Sequence, residues 1–281
     1  MALSGKVALV TGAGQGLGRG ISDILLKNGA KVAMLDRNET AGKNTKVDFD
    51  KKYGEDHSIF LTCDVTSDEQ LKGAFQKTIE RFGRLDIVCN NAGIVDESNW
   101  EKMVDINLKG VIRGTYLALK HMKKENGGAG GVIVNTASMA GLGPILFLPA
   151  YTATKHGVVG LSRALAEASK AGGYGVRINA LCPTFINTPL LSYLTDEELT
   201  GDFRPLCHFA PQLQEMAGML EVPVVAESFL HLVTDEDKNG AVMMVTAEGG
   251  AYINFPQNVM EVPKTPVTST RTPTEPETPS K

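Results

Sequence analysis

The amino-acid sequence predicts an α/β fold, a doubly wound parallel sheet in a single domain, and three observations carry that prediction. Short, near-continuous apolar runs alternate with segments of helical length, the pattern of strands covered on both faces. A glycine-rich loop follows the first of these runs. Residues able to do chemistry recur just past the ends of the runs, where a parallel sheet opens a crevice for ligands.

The first apolar run, 6–10, leads into the glycines, and Leu17, Ile21, Ile24 and Leu25 then recur at helical spacing. A second strand is expected over 31–36, a polar helix over 38–53, and a third strand over 58–64 that ends in an acid. A fourth falls at 85–90, and others at 131–136, 176–182 and 241–246, each of these after a stretch long enough for a helix. Asp36 then ends strand two, Asp64 ends strand three, Asn90 to Gly93 end strand four, and Ser138 follows strand five.

The chain has 281 residues, 42% of them hydrophobic, which suits one globular domain over 1–255. Twenty-eight basic and 32 acidic residues leave a net charge of −4, so charge gives no reason to expect a nucleic acid or an anionic membrane as partner. No run of about 18 uncharged apolar residues and no secretory leader is present, which predicts a cytoplasmic protein with no membrane span. Cys63, Cys89, Cys182 and Cys207 lack C-x-x-C spacing, so packed, reduced thiols are expected and no metal site. The segment 256–281 is expected to be a disordered tail, because proline and threonine dominate it from position 263 and little there can be buried. Its Thr-Pro pairs at 265, 272 and 278 read as part of a solvated tail.

In Thr11-Gly12-Ala13-Gly14-Gln15-Gly16-Leu17-Gly18, glycines at 12, 16 and 18 permit a sharp turn and let a diphosphate approach the amides that open the next helix. This is a Rossmann-like signal, although its spacing departs from G-x-G-x-x-G. Asp36, eighteen residues past Gly18, can accept from the adenosine ribose hydroxyls and repel a 2'-phosphate, which favours NAD over NADP. Arg37 beside it could pair with that phosphate and opposes the preference. Asp64 and Val65 either border the adenine or, in the case of Asp64, cap a helix before Ser67-Asp68.

Tyr151 and Lys155 stand one helical turn apart, with Ser138 thirteen positions before the tyrosine. A phenol with its ordinary pKa of ~10 is a poor base near neutrality. An ammonium on the same helix face is expected to favour its ionised form. Tyr151 could then take the proton of an alcohol while hydride leaves for a nicotinamide, with Ser138 holding the reacting oxygen. His156, next to Lys155, is expected to pack.

These residues stand in the order found in the classical short-chain dehydrogenase/reductase family. The resemblance rests on Thr11-Gly12-x-x-x-Gly16-x-Gly18, Asn90-Asn91-Ala92-Gly93, Asn107, Ser138 and Tyr151-x-x-x-Lys155, and spans roughly 4–250. It implies that Lys155 also binds the nicotinamide ribose and that Asn107 holds a water in a proton relay ending at Lys155. It further assigns Gln15, Leu17, Asn91, Ala92, Gly93, Pro183, Thr184 and Ile186 to the coenzyme, and implies a homodimer or homotetramer built through helices near 105–124 and 151–171. Within the family, Asn99-Trp100-Glu101-Lys102 points toward enzymes of hydroxy fatty acids of the prostanoid kind. Three departures bear on substrate: Cys182-Pro183-Thr184 replaces the usual Pro-Gly, Thr246-Ala247-Glu248-Gly249-Gly250 replaces the common Val-Asp-Gly-Gly, and Leu148 is apolar where a polar holder of the substrate hydroxyl is expected.

Met139, Leu142, Ile145, Leu146, Phe147 and Leu148 lie between the catalytic groups in sequence. The stretch 184–222 adds Leu190, Leu191, Tyr193, Leu194, Phe203, Phe209, Met216 and Met219, as a flexible lid or as ordinary helix packing. Such a lining suits a small, lipid-like secondary alcohol, a hydroxy fatty acid, steroid or retinoid; Arg204 and His208 are expected at the surface, with a substrate carboxylate as the alternative partner. A dinucleotide-binding scaffold without turnover is the alternative of a different class.

Overall fold

The computed structural model describes residues 1–194 and 198–256. The expected tail, apart from Pro256, lies outside the described residues, and so do the side chains of Tyr193 and Leu194. The first half of the chain alternates strictly: β1 (Val7–Thr11), α1 (Gly16–Lys27), β2 (Lys31–Asp36), α2 (Glu39–Tyr53), β3 (Ser58–Thr62), α3 (Asp68–Phe82) and β4 (Ile87–Asn90). Next, α4 (Trp100–Val104) runs through a π-helical turn, Asp105–Gly110, into α5 (Val111–Met122), followed by β5 (Gly131–Thr136), α6 (Pro149–Ala171) and β6 (Val176–Pro183). After a two-residue β7 (Phe185–Ile186) come the 3-10 helices Pro189–Leu194 and Gly201–Phe209. The chain continues with α7 (Ala210–Ala217), β8 (Met219–Leu220), α8 (Val222–Thr234), β9 (Val242–Thr246) and β10 (Gly249–Tyr252).

In the described residues the main sheet has eight strands in the order β10-β9-β6-β5-β4-β1-β2-β3. The order runs outward in both directions from the β1–β4 pair, so the crevice of a doubly wound sheet opens beside the glycine loop. Alternate residues of each strand face opposite layers. Ala8 and Val10 pack with Ile21, Leu25, Met34 and Phe229, whereas Leu9 packs with Leu35, Phe75, Val88 and Leu119. Two buried faces are the reason that the strands read as unbroken apolar runs.

The sequence expectations need correction at three places. The sheet is parallel only up to β9, because β10 pairs antiparallel with it, Ala251 opposite Met244. Gly-Gly-Ala-Tyr offers neither length nor apolar alternation, so nothing in it signals a strand. β3 ends at Thr62, short of Asp64. Asp64 is not a helix cap either: its Oδ1 accepts from the Thr66 amide (2.9 Å) and hydroxyl (2.8 Å) in an Asx turn, and Ser67 caps α3 by accepting from the Gln70 amide.

A buried chain of polar side chains joins the sheet to its helices. Asn90 Nδ2 donates to Thr115 Oγ1 (3.1 Å) and to Asn135 Oδ1 (2.8 Å), and Asn135 Nδ2 donates to Ser162 Oγ (2.9 Å). These four residues link β4, α5, β5 and α6 and are buried. Cys63, Cys89 and Cys182 are buried and Cys207 partly so; burial pushes the Cys89 and Cys182 thiols up to about 12 and keeps them protonated.

Candidate active site

The glycine loop is held from three sides before any ligand is considered. Gly12 and Gly16 adopt φ of 64° and 54°, and a Cβ on Gly18 would lie 2.1 Å from the Gly12 carbonyl oxygen, so α1 can approach β1 only with glycine there. Asp36 Oδ2 accepts from the Gly14 amide (2.8 Å), its Oδ1 accepts from the Asn38 amide (2.8 Å), and Thr45 Oγ1 donates to the Gly14 carbonyl (2.8 Å). At the end of β4, the Asn91 and Ala92 amides donate to Thr11 Oγ1 at 2.9 and 3.0 Å, and Asn91 Nδ2 donates back to the Thr11 carbonyl. The strand ends that frame the crevice are thereby locked together.

A cavity of about 360 Å³ runs along these strand ends. The sequence-assigned residues Gly12, Gln15, Gly16, Leu17 and Gly18 line its floor, with Asp36, Arg37, Asp64 and Val65 toward one end. Asn91, Ala92, Gly93, Pro183, Thr184 and Ile186 flank its middle, and Ser138, Tyr151 and Lys155 close the other end. Three features fit a dinucleotide. The start of α1 has no side-chain cap and no acid in its first turn, which leaves its amides and the positive end of its dipole open to a diphosphate. Thr184 Oγ1 is buried at the cavity wall with no hydrogen-bond partner among the described residues, as a hydroxyl awaiting a polar ligand group. Asp36 keeps acceptor capacity beyond its two amide contacts.

Ser138 Oγ accepts from the Ala140 amide (3.2 Å), and the Ser138 side chain is near enough to the Tyr151 hydroxyl to favour its ionised form. Lys155 Nζ donates to the Thr136 carbonyl (3.0 Å) and lies 5.5 Å from the centroid of the Tyr151 ring. Burial pushes the Tyr151 hydroxyl up to about 12, against the effect of Ser138, and pushes Lys155 down to about 8. Burial therefore dominates at Tyr151 in place of the expected acidification by Lys155, whose ammonium donates to a main-chain carbonyl.

Asn107 stands behind the cavity wall. Its Oδ1 accepts from the Ile94 amide (2.9 Å) and its Nδ2 donates to the Ile94 carbonyl (2.8 Å), so the side chain braces the segment after Gly93. A side chain on Gly93 would come within 3.3 Å of Asn107 Oδ1 and 3.7 Å of Lys155 Nζ, which shows that both groups flank one point. His156, expected to pack, is exposed, with its Nδ1 3.0 Å from the Thr152 carbonyl.

On the substrate side Val95, Ile145, Leu148 and Leu190 give the cavity an apolar wall, joined by Met139 and Leu191. Phe147 is buried among core residues, Leu146 is exposed, and Leu142 packs elsewhere. Phe203 packs behind the wall, whereas Phe209, Met216 and Met219 face solvent. Arg204 and His208 do not line the cavity. Sequence reasoning missed Glu97, which is buried and whose carboxylate accepts from the amides of Ala150 (3.1 Å) and Tyr151 (2.8 Å). The contact spans 54 positions, and no local pattern announces it.

Known proteins are related to this chain in sequence and in fold. Residues 6–199 match the model of the short chain dehydrogenase family. The 15-hydroxyprostaglandin dehydrogenase [NAD(+)] of Homo sapiens is 44% identical over 252 residues, 90% of this chain and 95% of that protein. The Mus musculus protein of the same name is 41% identical over 269 residues, 96% of this chain and 100% of its own length. Among solved structures, levodione reductase superposes with a TM-score of 0.75 at 32% identity, covering 87% of this chain and 97% of that one. The 3-ketoacyl-(acyl-carrier-protein) reductase from Brucella melitensis, complexed with NADH, gives 0.74 at 28% identity, covering 87% and 98%. With its strand order, its glycine loop and its Ser-Tyr-Lys cluster in one crevice, this chain belongs to the short-chain dehydrogenase family.

Proposed function

We propose that the protein is an NAD-dependent dehydrogenase that oxidises the secondary hydroxyl of a 15-hydroxyprostaglandin or a related hydroxy fatty acid to a ketone. One observation carries this reading: a single cavity joins the Asp36 carboxylate at one end to the Ser138–Tyr151 pair and an apolar wall at the other. A ribose diol suits the carboxylate, a carbinol suits the pair, and an acyl chain suits the wall. The chemistry named for the mammalian relatives agrees with all three.

Ser138 holds the substrate oxygen and orients its proton toward Tyr151. Tyr151 accepts that proton as the carbinol C–H bond breaks, and returns it to the ketone oxygen in the reverse direction. Bound NAD supplies the hydride acceptor and a positive ring that favours the Tyr151 phenolate. Lys155 would hold the nicotinamide ribose by a hydrogen bond, and Asn107, flanking the same point, would lie on the path by which the proton leaves. Asp36 selects NAD, and Arg37, exposed at the rim, does not reverse that choice.

We place the protein in the cytoplasm as a homodimer or homotetramer. No helix among the described residues is long and apolar enough to cross a membrane, and Trp100 on α4 and Tyr116 on α5 are apolar groups left more than half exposed, which supports a partner subunit there. The test is NADH formation across a panel of prostanoid, hydroxy fatty acid and steroid alcohols. Turnover confined to the first two supports the proposal; no NADH from any of them overturns it.

A further inference from the structure

We propose that Glu97 is a positioning residue that sets the placement of Tyr151 against Ser138 and ties it to the wall of the substrate cavity. The argument starts from the way α6 begins. Its first amides have no partner within the helix, and Leu148, the residue before it, offers no side-chain acceptor. Pro149 has no amide hydrogen, and the Thr152 amide already donates to the Leu148 carbonyl (2.9 Å). The two amides left are those of Ala150 and Tyr151, and Glu97 accepts both, one on each carboxylate oxygen, at 3.1 and 2.8 Å. The positive end of a 23-residue helix dipole reinforces the grip.

The backbone of the same residue holds the layer packed behind the substrate wall. The Glu97 amide donates to the Leu199 carbonyl at 2.7 Å, and the Ser98 amide reaches the same oxygen at 3.4 Å. Leu199 leads into the 3-10 helix Gly201–Phe209, whose Phe203 and Leu206 pack against the cluster that contains Tyr151, Ile145 and Leu148. Burial raises the Glu97 carboxyl and the two amides oppose that rise. One residue, from a loop outside both catalytic motifs, therefore links the proton-transferring helix to the substrate wall. It touches neither the glycine loop nor Asp36, so coenzyme binding is separable from its role.

The inference rests on the dehydrogenase reading, and the experiment keeps the two apart. Glu97→Gln preserves shape but turns one acceptor into a donor facing an amide; Glu97→Ala removes both acceptors. In both variants we expect kcat with the best alcohol substrate to fall, about tenfold for Gln and about 10²-fold for Ala, because small misplacements of catalytic groups cost rates of that order. The Kd for NADH, from fluorescence titration, stays within about twofold of the parent, since the coenzyme contacts are elsewhere. A residue that merely supports the fold would lower the number of NADH-binding sites and leave kcat per site unchanged. Unchanged kcat per NADH site in Glu97→Gln overturns the proposal even if the alanine variant fails to fold. A parent protein that turns over no alcohol overturns the dehydrogenase reading and this inference with it.

Discussion

The coenzyme side and the substrate side of the cavity are built by different means. Along the glycine loop, main-chain and buried polar groups fix each other: Asp36 on Gly14, Thr45 on Gly14, Thr11 on Asn91 and Ala92. The facing wall is apolar side-chain surface from Ile145, Leu148, Leu190 and Leu191, with the 3-10 helix Gly201–Phe209 packed behind it through Phe203 and Leu206. Hydrogen bonds impose distances and directions, whereas apolar contact imposes only volume. The difference teaches that this molecule specifies its reaction on one side and selects its substrate, more permissively, on the other.

Tyr151→Phe is the strongest attempt to break that division. It should lower kcat by about 10³-fold, the range of general acid–base catalysis, with NADH binding retained in a fluorescence titration. Loss of both together would mean that the two sides are not separable. Gly18→Ala drives a methyl group into the Gly12 carbonyl and should cost about 3 kcal/mol of stability in urea unfolding, with weakened NADH binding. Asp36→Ala removes a charged acceptor from two amides and, under the proposed function, from the coenzyme ribose, and should raise the Kd for NAD by about 30-fold. The same variant should narrow the preference over NADP, which parallel titrations would show.

Lys155 gives a pH test. Its pKa is lowered by burial from the ordinary 10.5 to about 8, so between these values the unfolded chain binds more protons than the folded one and stability rises with pH. From pH 8 to 10 the coenzyme-free protein should gain about 1–2 kcal/mol relative to Lys155→Met in urea midpoints. The raised pKa of Tyr151 works in the opposite sense, but only above its ordinary value of 10. The smallest effect is expected on the permissive side. Leu190→Ala should raise KM for a lipid alcohol about fivefold, the scale of a partly buried leucine, and leave kcat and NADH binding alone.

The same division explains what could be read in the sequence. The strands at 31–36 and 131–136 appear with the expected limits because each is an apolar run that follows a glycine turn and ends in polar residues. Ser138, Tyr151, Lys155 and the glycines were legible because their chemistry depends on local spacing along a turn or a helix. Glu97 was not, since its partners lie 53 and 54 positions away and its neighbours Asp96 and Ser98 make it look like part of a polar loop. The direction of the Tyr151 shift was misjudged for a related reason: spacing puts Lys155 on the right face, but only the three-dimensional surroundings show that Nζ turns to Thr136. The edge strand β10 was hidden by its composition, two glycines followed by a partly exposed Ala-Tyr.

The amide chain from Asn90 through Asn135 to Ser162 acts as a key in a slot for α6. Greasy surfaces alone would let a long helix creep along the sheet by a fraction of a turn at little cost. Sliding here would strand donors and acceptors far from water, at about 1–3 kcal/mol for each one left unmatched. The alignment of the helix that bears the phenol is thus dictated from beneath, in a buried layer set apart from the cavity lining, and residues lining the mouth of the crevice can diversify without disturbing it.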